Sequence, residues 1–388
     1  MKKLKGLKCV SCGHVHAIEM IYECEHCRGS LDIIYDYESI FTENVSDHIS
    51  EGGIWRHRSL LPIAANTEAV SLGEGNTPLL RSTALEVEFD QAEILIKNEA
   101  VNPTLSFKDR PLAVALTVAK QFGVEGVVTA STGNTGVAAA AYAARAGLPC
   151  RIYVPKGTPK EKLIMMEMYG AKIELIEGTF SDAYLVSGQE AKKNGWFNLT
   201  STFLNPYAIE GDKTLAYEIY EQYGGVPDWI IIPIGAGPLL VSCYKGFREL
   251  QLAGKVAKLP RMVGVQAANC APTVQAFEKK LKEVEPWGYS NQTVASGIAD
   301  PLTTYPQDGT RTLTTIYQSE GCGIAVSDES IMHYQKWLAQ KEGIFAEPSS
   351  ATAIAAIEVM KEKGFLQNGD SIVTVVTGHG LKDLKSIR

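Results

Sequence analysis

Short apolar runs alternate with helix-like segments over most of the chain, and this alternation restricts the fold more than any other feature. The runs are only long enough for single strands and carry apolar residues at consecutive positions. Strands of this kind are buried on both faces, as in parallel sheets covered by helices. The expected strands are 92–100, 125–131, 150–155, 172–178, 229–235, 262–267 and 371–378, and the expected helices are 110–121, 133–147, 160–170, 182–195, 211–225, 238–253, 329–341 and 349–363. So many units exceed one sheet, and we therefore expect an α/β fold with two doubly wound subdomains.

The first forty residues differ from the rest because they contain two C-x-x-C pairs, "CVSCGH" and "CEHCRG". Two such knuckles present four thiolates tetrahedrally, as Zn²⁺ requires. The pattern predicts a structural zinc site, with a metal-free knuckle or an oxidised pair as the alternatives. The expected ligands are Cys9, Cys12, Cys24 and Cys27, whereas the neighbouring His14, His16 and His26 are expected to be exposed polar residues beside the turns.

The same forty residues begin the predicted division of the chain. We expect a zinc-ribbon-like N-terminal element at 1–40, and 41–70 look like a connecting arm with one or two helical turns. The strand and helix pattern predicts a large ligand-binding α/β subdomain from 41–113 and 200–388, and a small α/β subdomain at 114–199.

Composition and charge limit the class of protein. The 45% apolar content and 35 glycines are typical of an α/β enzyme with a sizeable core. The net charge is −7, and no basic run is present. Phosphate backbones need a concentrated positive surface, so we expect a small-molecule substrate and no nucleic acid partner.

The sequence also predicts a cytoplasmic protein that does not bind membranes. No apolar run approaches the roughly 18 residues of a membrane span, and the basic start "MKKLKGLKCV" lacks an apolar stretch of signal-peptide length. In a reducing compartment lone cysteines stay thiols. We therefore expect four small buried thiols at Cys150, Cys243, Cys270 and Cys322.

Four turns lie where open α/β sheets bind ligands, at the passage from a strand to a helix. The first, "NPTLSFKDR", places Lys108 just before a helix. The positive end of that helix and burial beside Phe107 both disfavour the charged amine. The neutral amine is the form that reacts with carbonyl compounds. An ordinary surface lysine is the alternative, which the loop alone favours.

The second turn, "TASTGNTG", is rich in hydroxyl and amide side chains. Together with the N–H groups that begin the next helix, these side chains form a cradle for a carboxylate or a phosphate. Ordinary helix capping is the alternative. The side chains concerned are Ser131, Thr132, Asn134 and Thr135.

The third turn, "PIGAGPLL", follows the apolar strand 229–235. Gly235 and Gly237 allow a phosphate to approach the backbone closely, and Pro238 suits the first turn of the helix that follows. An ordinary tight turn is the alternative.

The fourth turn, "VTGHGLKD", closes the last strand. Thr377 is placed where its hydroxyl can hydrogen-bond a ring nitrogen. His379 lies between two glycines, and we expect it to stabilise the turn instead of acting as a general base.

Six motifs in this order resemble those of the threonine synthases, which belong to the tryptophan-synthase-β-like family of pyridoxal-phosphate (PLP) enzymes of fold type II. The motifs are "EGNTPL", "NPTLSFKDR", "ASTGNTG", "NPYAIEGDKT", "EGIFAEPSSA" and "TGHGLKD", and they cover about residues 70 to 385. Some members also have the paired C-x-x-C head. The resemblance implies PLP fold type II, a PLP-binding large subdomain and a homodimer.

The resemblance also implies a role for each turn. Lys108 is the catalytic residue and holds PLP as an internal aldimine. Phe107 packs by the ring, Asn134 bonds its 3′-oxygen, and Thr377 meets the pyridine nitrogen. The cofactor phosphate is bound by the loop of Gly235, Ala236, Gly237, Pro238 and Leu239, and the substrate's α-carboxylate is held by Ser131, Thr132 and Thr135.

The reaction that the resemblance implies belongs to threonine biosynthesis. O-phospho-L-homoserine and water become L-threonine and phosphate, which is carbon–oxygen lyase chemistry. Lys108 moves protons, phosphate leaves from Cγ, and water adds at Cβ.

Three positions depart from the family pattern. Leu105 replaces the usual glycine, and the loop "GAGPL" lacks a common asparagine. Ala208 replaces an arginine that normally binds the substrate's phosphate through a charge-assisted fork. Arg110, Lys213 and the loop of Ser131 are the candidates to replace that charge.

These departures leave two alternatives. The first is β-elimination or β-replacement on another small amino acid, as in threonine or serine dehydratases or cysteate synthase. The second is a zinc-ribbon binding protein with an inactive catalytic half. The intact Lys108, Asn134 and Thr377 oppose the second alternative.

Overall fold

The structure is a computed structural model, and it describes residues 3–42, 52–200 and 202–384. Its strands are β1 (Leu4–Cys9), β2 (Val15–His16), β3 (Leu31–Tyr35), β4 (Leu79–Arg81), β5 (Glu93–Asn98), β6 (Val127–Ala130), β7 (Cys150–Pro155), β8 (Lys172–Ile176), β9 (Phe197–Asn198), β10 (Trp229–Pro233), β11 (Arg261–Ala267), β12 (Cys322–Val326) and β13 (Ser371–Val376).

The helices of the described residues are α1 (Tyr37–Thr42), α2 (Thr83–Phe89), α3 (Asp109–Phe122), α4 (Asn134–Ala146), α5 (Lys160–Met168), α6 (Phe180–Asn194), α7 (Ile209–Asp212), α8 (Thr214–Tyr223), α9 (Pro238–Leu252), α10 (Pro272–Glu278), α11 (Pro306–Gln318), α12 (Asp328–Lys341) and α13 (Pro348–Glu362). Short 3₁₀ helices lie at Gly53–Leu60, Glu99–Val101, Ser296–Ile298 and Gly380–Lys382. No helix in these described ranges has the length and apolar character that a membrane span requires.

The described residues group into two compact units. The first unit is formed from Met1–Asn76 and Lys108–Thr214, and the second from Thr77–Phe107 and Leu215–Arg388. The chain therefore passes from the second unit to the first between Phe107 and Lys108. These contact-based boundaries are not those of the predicted subdomains, and the predicted division stays a prediction.

The first unit contains a parallel sheet with the strand order β8-β7-β6-β9. Alternate residues of β6 enter different cores. Val127 belongs to a cluster that includes the alanines of α4, whereas Val128 and Ala130 pack with residues of α6. Since side chains alternate between the two faces of a strand, helices cover both faces of this sheet. This arrangement confirms the expectation of a doubly wound sheet.

A smaller antiparallel sheet in the first unit, with the order β2-β1-β3, is formed by the cysteine-rich head. Leu7, Leu31 and Ile33 are buried and join the same apolar cluster as Phe197 and Tyr207. The head is therefore part of the packed core of this unit.

The second unit is built on a sheet with the order β12-β11-β10-β13-β5-β4. All neighbouring pairs are parallel except β4 with β5. Every residue of β10 and β13 is buried, as expected for central strands. The register pairs Val376 with Asn98. The carboxyl ends of β13 and β5 therefore lie side by side at one sheet edge.

Most of the predicted strands and helices are confirmed, with ends that differ by a few residues. The predicted helix 211–225 is instead two helices, because α7 ends at Asp212 and α8 begins at Thr214. The elements not predicted from the sequence are α1, α2, α10, α11, β4, β9, β12 and the strands of the head. Part of the predicted arm forms the 3₁₀ helix Gly53–Leu60, and the part at 43–51 lies outside the described residues.

Leu105 occupies a left-handed backbone conformation, with φ of 64°. A Cβ atom in this region costs roughly 1–2 kcal/mol, which only glycine avoids. The glycine that the resemblance implies at this position would avoid this strain. We expect Leu105→Gly to be more stable than Leu105→Ala by about 1 kcal/mol, as measured by urea unfolding.

The control for this comparison is the exposed Ala144 in α4, where alanine should be more stable than glycine. Ala144→Gly should lose about 1 kcal/mol because glycine is a poor helix former. An alanine at 105 that is as stable as glycine there would contradict the expected strain.

Candidate functional site

Lys108 directly precedes α3, with φ of −60° and ψ of −16°, and its side chain is half-buried. Its carbonyl oxygen accepts a hydrogen bond from the N–H of Leu112 at 3.2 Å, which fixes the residue at the first turn. The following Asp109 and Arg110 are fully buried. The structure thus places this lysine at the positive end of a 14-residue helix.

The loop before Lys108 is paired with the end of β13. The Phe107 N–H donates to the Thr377 carbonyl at 2.9 Å, and the His379 N–H donates to the Leu105 carbonyl at 3.0 Å. Ser106 and Gly378 form the bridge between these two bonds. The structure therefore brings together Phe107 and Thr377, two of the residues singled out from the sequence.

The Thr377 hydroxyl lies 2.9 Å from the hydroxyl of Ser350. Both residues are buried in the second unit. The Ser350 oxygen also accepts from the Gly378 N–H at 2.8 Å and lies 3.1 Å from the Gly378 carbonyl oxygen. Ser350 has one hydrogen to donate. When it donates to Thr377, the Thr377 hydrogen is left for another acceptor.

Ser350 is a functional candidate that the sequence reading did not single out. It lies in the quoted motif "EGIFAEPSSA", near the start of α13. The motif was the available signal, but the contact with Thr377 depends on tertiary packing.

The loop after β10 presents backbone groups where a side chain would not fit. Gly237 has φ of 95°, and the 15-residue helix α9 begins at the next residue, Pro238. A Cβ atom on Gly237 would lie 2.5 Å from the Cγ2 atom of Thr312. The Thr312 hydroxyl donates to the Ala236 carbonyl at 2.6 Å, which holds the loop. This glycine turn before a long helix has the geometry of an anion-binding loop.

Asp300 lies against the beginning of that loop. A Cβ atom on Gly235 would be 3.3 Å from the Asp300 Cβ. The Leu302 N–H donates to the Asp300 carboxyl at 3.0 Å, and the Tyr305 hydroxyl lies 3.3 Å from both of its oxygens. Burial nevertheless raises the pKa of the Asp300 carboxyl. A carboxyl biased toward its neutral form repels a bound anion less than an ionised one.

The turn before α4 is organised by Ser131. Its side-chain oxygen accepts from the N–H groups of Gly133 at 3.2 Å and Gly136 at 3.0 Å. The hydroxyl hydrogen can still be donated to an anion. Asn134 is the first residue of α4, Thr135 is buried, and Thr132 is half-buried. Helices α3 and α4 pack against one another in the first unit.

His379 stabilises its turn, as expected. Its Nδ1 accepts from the Leu381 N–H at 3.1 Å, at the start of the 3₁₀ helix that follows. Burial and the nearby Lys382 lower the pKa of the His379 ring, so its neutral, accepting form is favoured.

Two of the candidates to replace the missing charge at Ala208 are engaged elsewhere. Arg110 is fully buried, and its Nη1 donates to Thr214 Oγ1 at 2.9 Å. Lys213 is also fully buried and forms a 2.6 Å ion pair with Glu210. Neither cation can bind a ligand without a rearrangement of the core, which argues against both replacements.

The cysteines divide as the sequence suggested. Lone Cys150, Cys243, Cys270 and Cys322 are buried free thiols, which confirms the expectation. The sulfur atoms of the four head cysteines all lie within 4.8 Å of one another. Among the histidines, His14 and His26 are exposed, whereas His16 is half-buried and contacts the Cys24 sulfur at 3.3 Å.

Comparisons with known proteins agree with these observations. Residues 70–378 match the family model described as pyridoxal-phosphate dependent enzyme. A threonine synthase of Methanocaldococcus jannaschii is 42% identical over 382 residues, which is 97% of this chain and 92% of that protein. A threonine synthase of Methanosarcina acetivorans is 36% identical over 98% of this chain and 93% of its own length.

Solved structures support the fold. A threonine deaminase from Solanum lycopersicum superimposes with a TM-score of 0.67 at 22% identity and covers 80% of this chain and 86% of its own. A diaminopropionate ammonia lyase from Escherichia coli gives a TM-score of 0.68 at 19% identity, covering 81% and 87%. At these identities the likeness concerns the fold alone.

Proposed function

Because this chain belongs to the pyridoxal-phosphate dependent enzyme family and resembles its threonine synthases over nearly the whole length, we propose that it converts O-phospho-L-homoserine and water to L-threonine and phosphate. The observation that carries the proposal is the position of Lys108 at the start of α3, in a chain whose relatives are threonine synthases. The protein is a PLP-dependent carbon–oxygen lyase of threonine biosynthesis.

The residues present fit PLP. Gly237 leaves room where a Cβ atom would collide with Thr312, and α9 directs its positive end at that loop. The loop of Gly235, Ala236, Gly237, Pro238 and Leu239 would hold the cofactor phosphate. Lys108 would bind the aldehyde covalently, Phe107 would pack by the ring, and Asn134 would bond the 3′-oxygen.

The Thr377 hydroxyl would bond the pyridine nitrogen. A neutral hydroxyl, unlike a carboxylate, leaves that nitrogen unprotonated and moderates the electron sink. Bound PLP supplies this sink for the charge that develops on the substrate carbons.

The chain's own residues move protons and hold the substrate. With substrate bound, the Lys108 amine would act as the base that removes protons at Cα and Cβ and as the acid that returns protons to Cγ and Cα. The hydroxyls of Ser131, Thr132 and Thr135 would hold the α-carboxylate at the positive end of α4. Phosphate leaves from Cγ, and water adds at Cβ.

The relatives favour this reaction over β-elimination or β-replacement on another amino acid, although Ala208 supplies no cation. Arg110 and Lys213 are buried and paired, so the loop of Ser131 is the remaining candidate for the substrate's phosphate. The phosphate would there share the positive end of α4 with the α-carboxylate. A helix N-terminus binds phosphate without an arginine fork.

Ser350 tests the hydrogen-bonding part of the proposal. We expect Ser350→Ala to lower kcat by about 10-fold, because the Thr377 hydroxyl loses the hydrogen-bond partner that orients it toward the cofactor. The absorption spectrum of the bound PLP should change with it. Activity and spectra of the purified variant provide the measurement.

Ser349→Ala is the matched control for this variant. Ser349 is the preceding residue of α13 and is also buried, but its hydroxyl oxygen accepts from the Gly297 N–H at 3.0 Å. If both variants lost the same factor in kcat and Ser350→Ala left the PLP spectrum unchanged, the role assigned to the Ser350–Thr377 hydrogen bond would be contradicted.

The reaction is tested with a panel of amino acids and the PLP-loaded protein. O-phospho-L-homoserine should release threonine and phosphate in equal amounts. Threonine, serine and O-phospho-L-serine should release keto acid only slowly or not at all. If one of these turns over while O-phospho-L-homoserine gives no threonine, the proposed function is wrong.

The proposal extends to a cytoplasmic homodimer. Sedimentation of the purified protein tests the dimer, and cell fractionation tests the location. A fully active monomer would contradict the proposed homodimer.

A further inference from the structure

The cysteine-rich head contacts the rest of the first unit through several specific polar groups, and its thiols are clustered. Cys9 and Cys27 sulfurs are 3.4 Å apart, and Cys12 and Cys24 sulfurs are 3.7 Å apart. Four thiolates around a tetrahedral Zn²⁺, with Zn–S bonds of about 2.3 Å, have sulfur–sulfur separations of roughly 3.8 Å. All pairs lie within 4.8 Å, so the donor set and its spacing fit this ion.

We propose that the four thiolates bind Zn²⁺ and that the metal-held head is a brace, which positions residues 205–214 against the beginning of the helix that follows Lys108. The brace is distinct from substrate or cofactor binding. It gives the cysteine motif a role inside the enzyme instead of at a partner surface.

The first contact of the brace is a buried charge group. Tyr35, at the end of β3 in the head, donates its hydroxyl to the Glu210 carboxylate at 2.8 Å. Glu210 is paired with Lys213, and the Lys213 ammonium lies 4.1 Å from the centre of the Tyr35 ring. All three side chains are at least 98% buried. A buried ion pair is costly unless its remaining hydrogen bonds are satisfied, and Tyr35 supplies one of them.

Two further tyrosines join the head to the same part of the chain. The Tyr22 hydroxyl accepts from the Asn198 N–H at 2.8 Å, and the Tyr22 ring meets Phe197 edge to face. The Tyr207 hydroxyl donates to the Glu19 carbonyl at 2.6 Å. The head therefore contacts both ends of the segment between β9 and α7.

The braced segment in turn contacts the helix of Lys108. α7 packs on α3, and a Cβ atom on Gly211 would overlap the Arg110 carbonyl oxygen. The Thr214 hydroxyl accepts from Arg110 Nη1 at 2.9 Å and donates to the Gly211 carbonyl at 2.7 Å. Displacement of α7 would therefore act on a residue only two positions after Lys108.

The metal is tested on the full-length purified protein without substrate or added cofactor. We expect about one zinc per chain, and an at least 5-fold lower content in Cys12→Ser and Cys27→Ser. Both thiols are exposed, so these changes disturb the core little. His14→Ala, next to the cluster, is the control and should keep its zinc. A wild-type protein that takes up no zinc when it is supplied would overturn the metal site.

The brace is tested by hydrogen exchange before and after chelation of the metal. Amides of 205–214 should exchange about 10-fold faster in the metal-depleted protein, and added Zn²⁺ should restore the slow rate. The sheet of the second unit should not change. Tyr35→Phe should accelerate exchange in the same segment with zinc still bound, whereas Tyr169→Phe in the same unit should not. Unchanged exchange after complete metal removal would overturn the brace.

A third measurement rests on the proposed function, because it uses PLP. The rate at which Lys108 captures added PLP, followed by absorbance, should fall about 10-fold without metal and recover with Zn²⁺. Far-UV circular dichroism should stay constant. If PLP is never captured while zinc content and exchange behave as expected, the cofactor assignment fails and the brace survives. If the metal-depleted protein captured PLP at an unchanged rate, the proposed effect of the brace on Lys108 would be overturned, and only its effect on residues 205–214 would remain.

Discussion

Lys108→Ala should abolish turnover, with kcat lower by a factor of about 10³ or more, while the helical content stays that of the wild type. The variant loses both the covalent attachment of the cofactor and the group that moves protons on the substrate. Proton transfer by one positioned side chain alone contributes about 10²–10⁴-fold. Lys108 is half-buried and is not part of the apolar core, so the variant should still fold.

Two measurements separate this result from a general loss of structure. Borohydride reduction of the PLP-loaded wild type should fix an adduct at position 108, and the variant should give none there. Lys120→Ala is the matched control, since Lys120 is an exposed lysine in the last turn of the same helix. Its kcat should stay within about 2-fold of the wild-type value. An active Lys108→Ala, or an adduct at another lysine, would contradict the assigned role.

The sequence could predict those parts of the site whose residues are close together in the chain. Lys108 and the loop around Gly237 each combine a strand, a turn and a helix start within about ten residues, and such patterns are readable without the fold. The residues that contact these two loops from distant parts of the chain could not be predicted. Ser350 becomes a partner of Thr377 only because β13 and the start of α13 are packed together, and Asp300 reaches Gly235 across a long loop.

Burial explains what the sequence reading of charged residues missed. The sequence analysis names Lys213 and Arg110 as candidates to bind the substrate's phosphate, and charged residues are usually exposed. In the structure both are in the core of the first unit, where Glu210 and Thr214 bind them. The break between α7 and α8 lies at Lys213, in a stretch whose helical periodicity is otherwise continuous. Lys213 itself keeps a right-handed helical backbone, with φ of −66° and ψ of −19°, so the chain direction predicted for this stretch is preserved.

Gly237→Ala should reduce PLP affinity by about 100-fold and destabilise the protein by about 2–4 kcal/mol. Two costs add. At φ of 95° any Cβ atom is strained, and at this position the atom would also collide with Thr312. The loop would relieve the collision by moving the backbone amides that are proposed to bind the cofactor phosphate. Fluorescence titration with PLP measures affinity, and urea unfolding measures stability.

The two costs can be separated with Thr312→Ala. In that background the two closest contacts, with the Thr312 hydroxyl and methyl groups, are removed and only the Cβ atom of residue 312 stays close, at 2.9 Å. Gly237→Ala should therefore cost at least about 1 kcal/mol less there than in the wild type, while the backbone strain of about 1–2 kcal/mol remains. Gly188→Ala is the matched control, because Gly188 lies within α6 with open space around its Cβ position. That change should stabilise by up to about 1 kcal/mol. If Gly237→Ala bound PLP normally, the phosphate could not be held by this loop, because the change that displaces its amides would leave the cofactor unaffected.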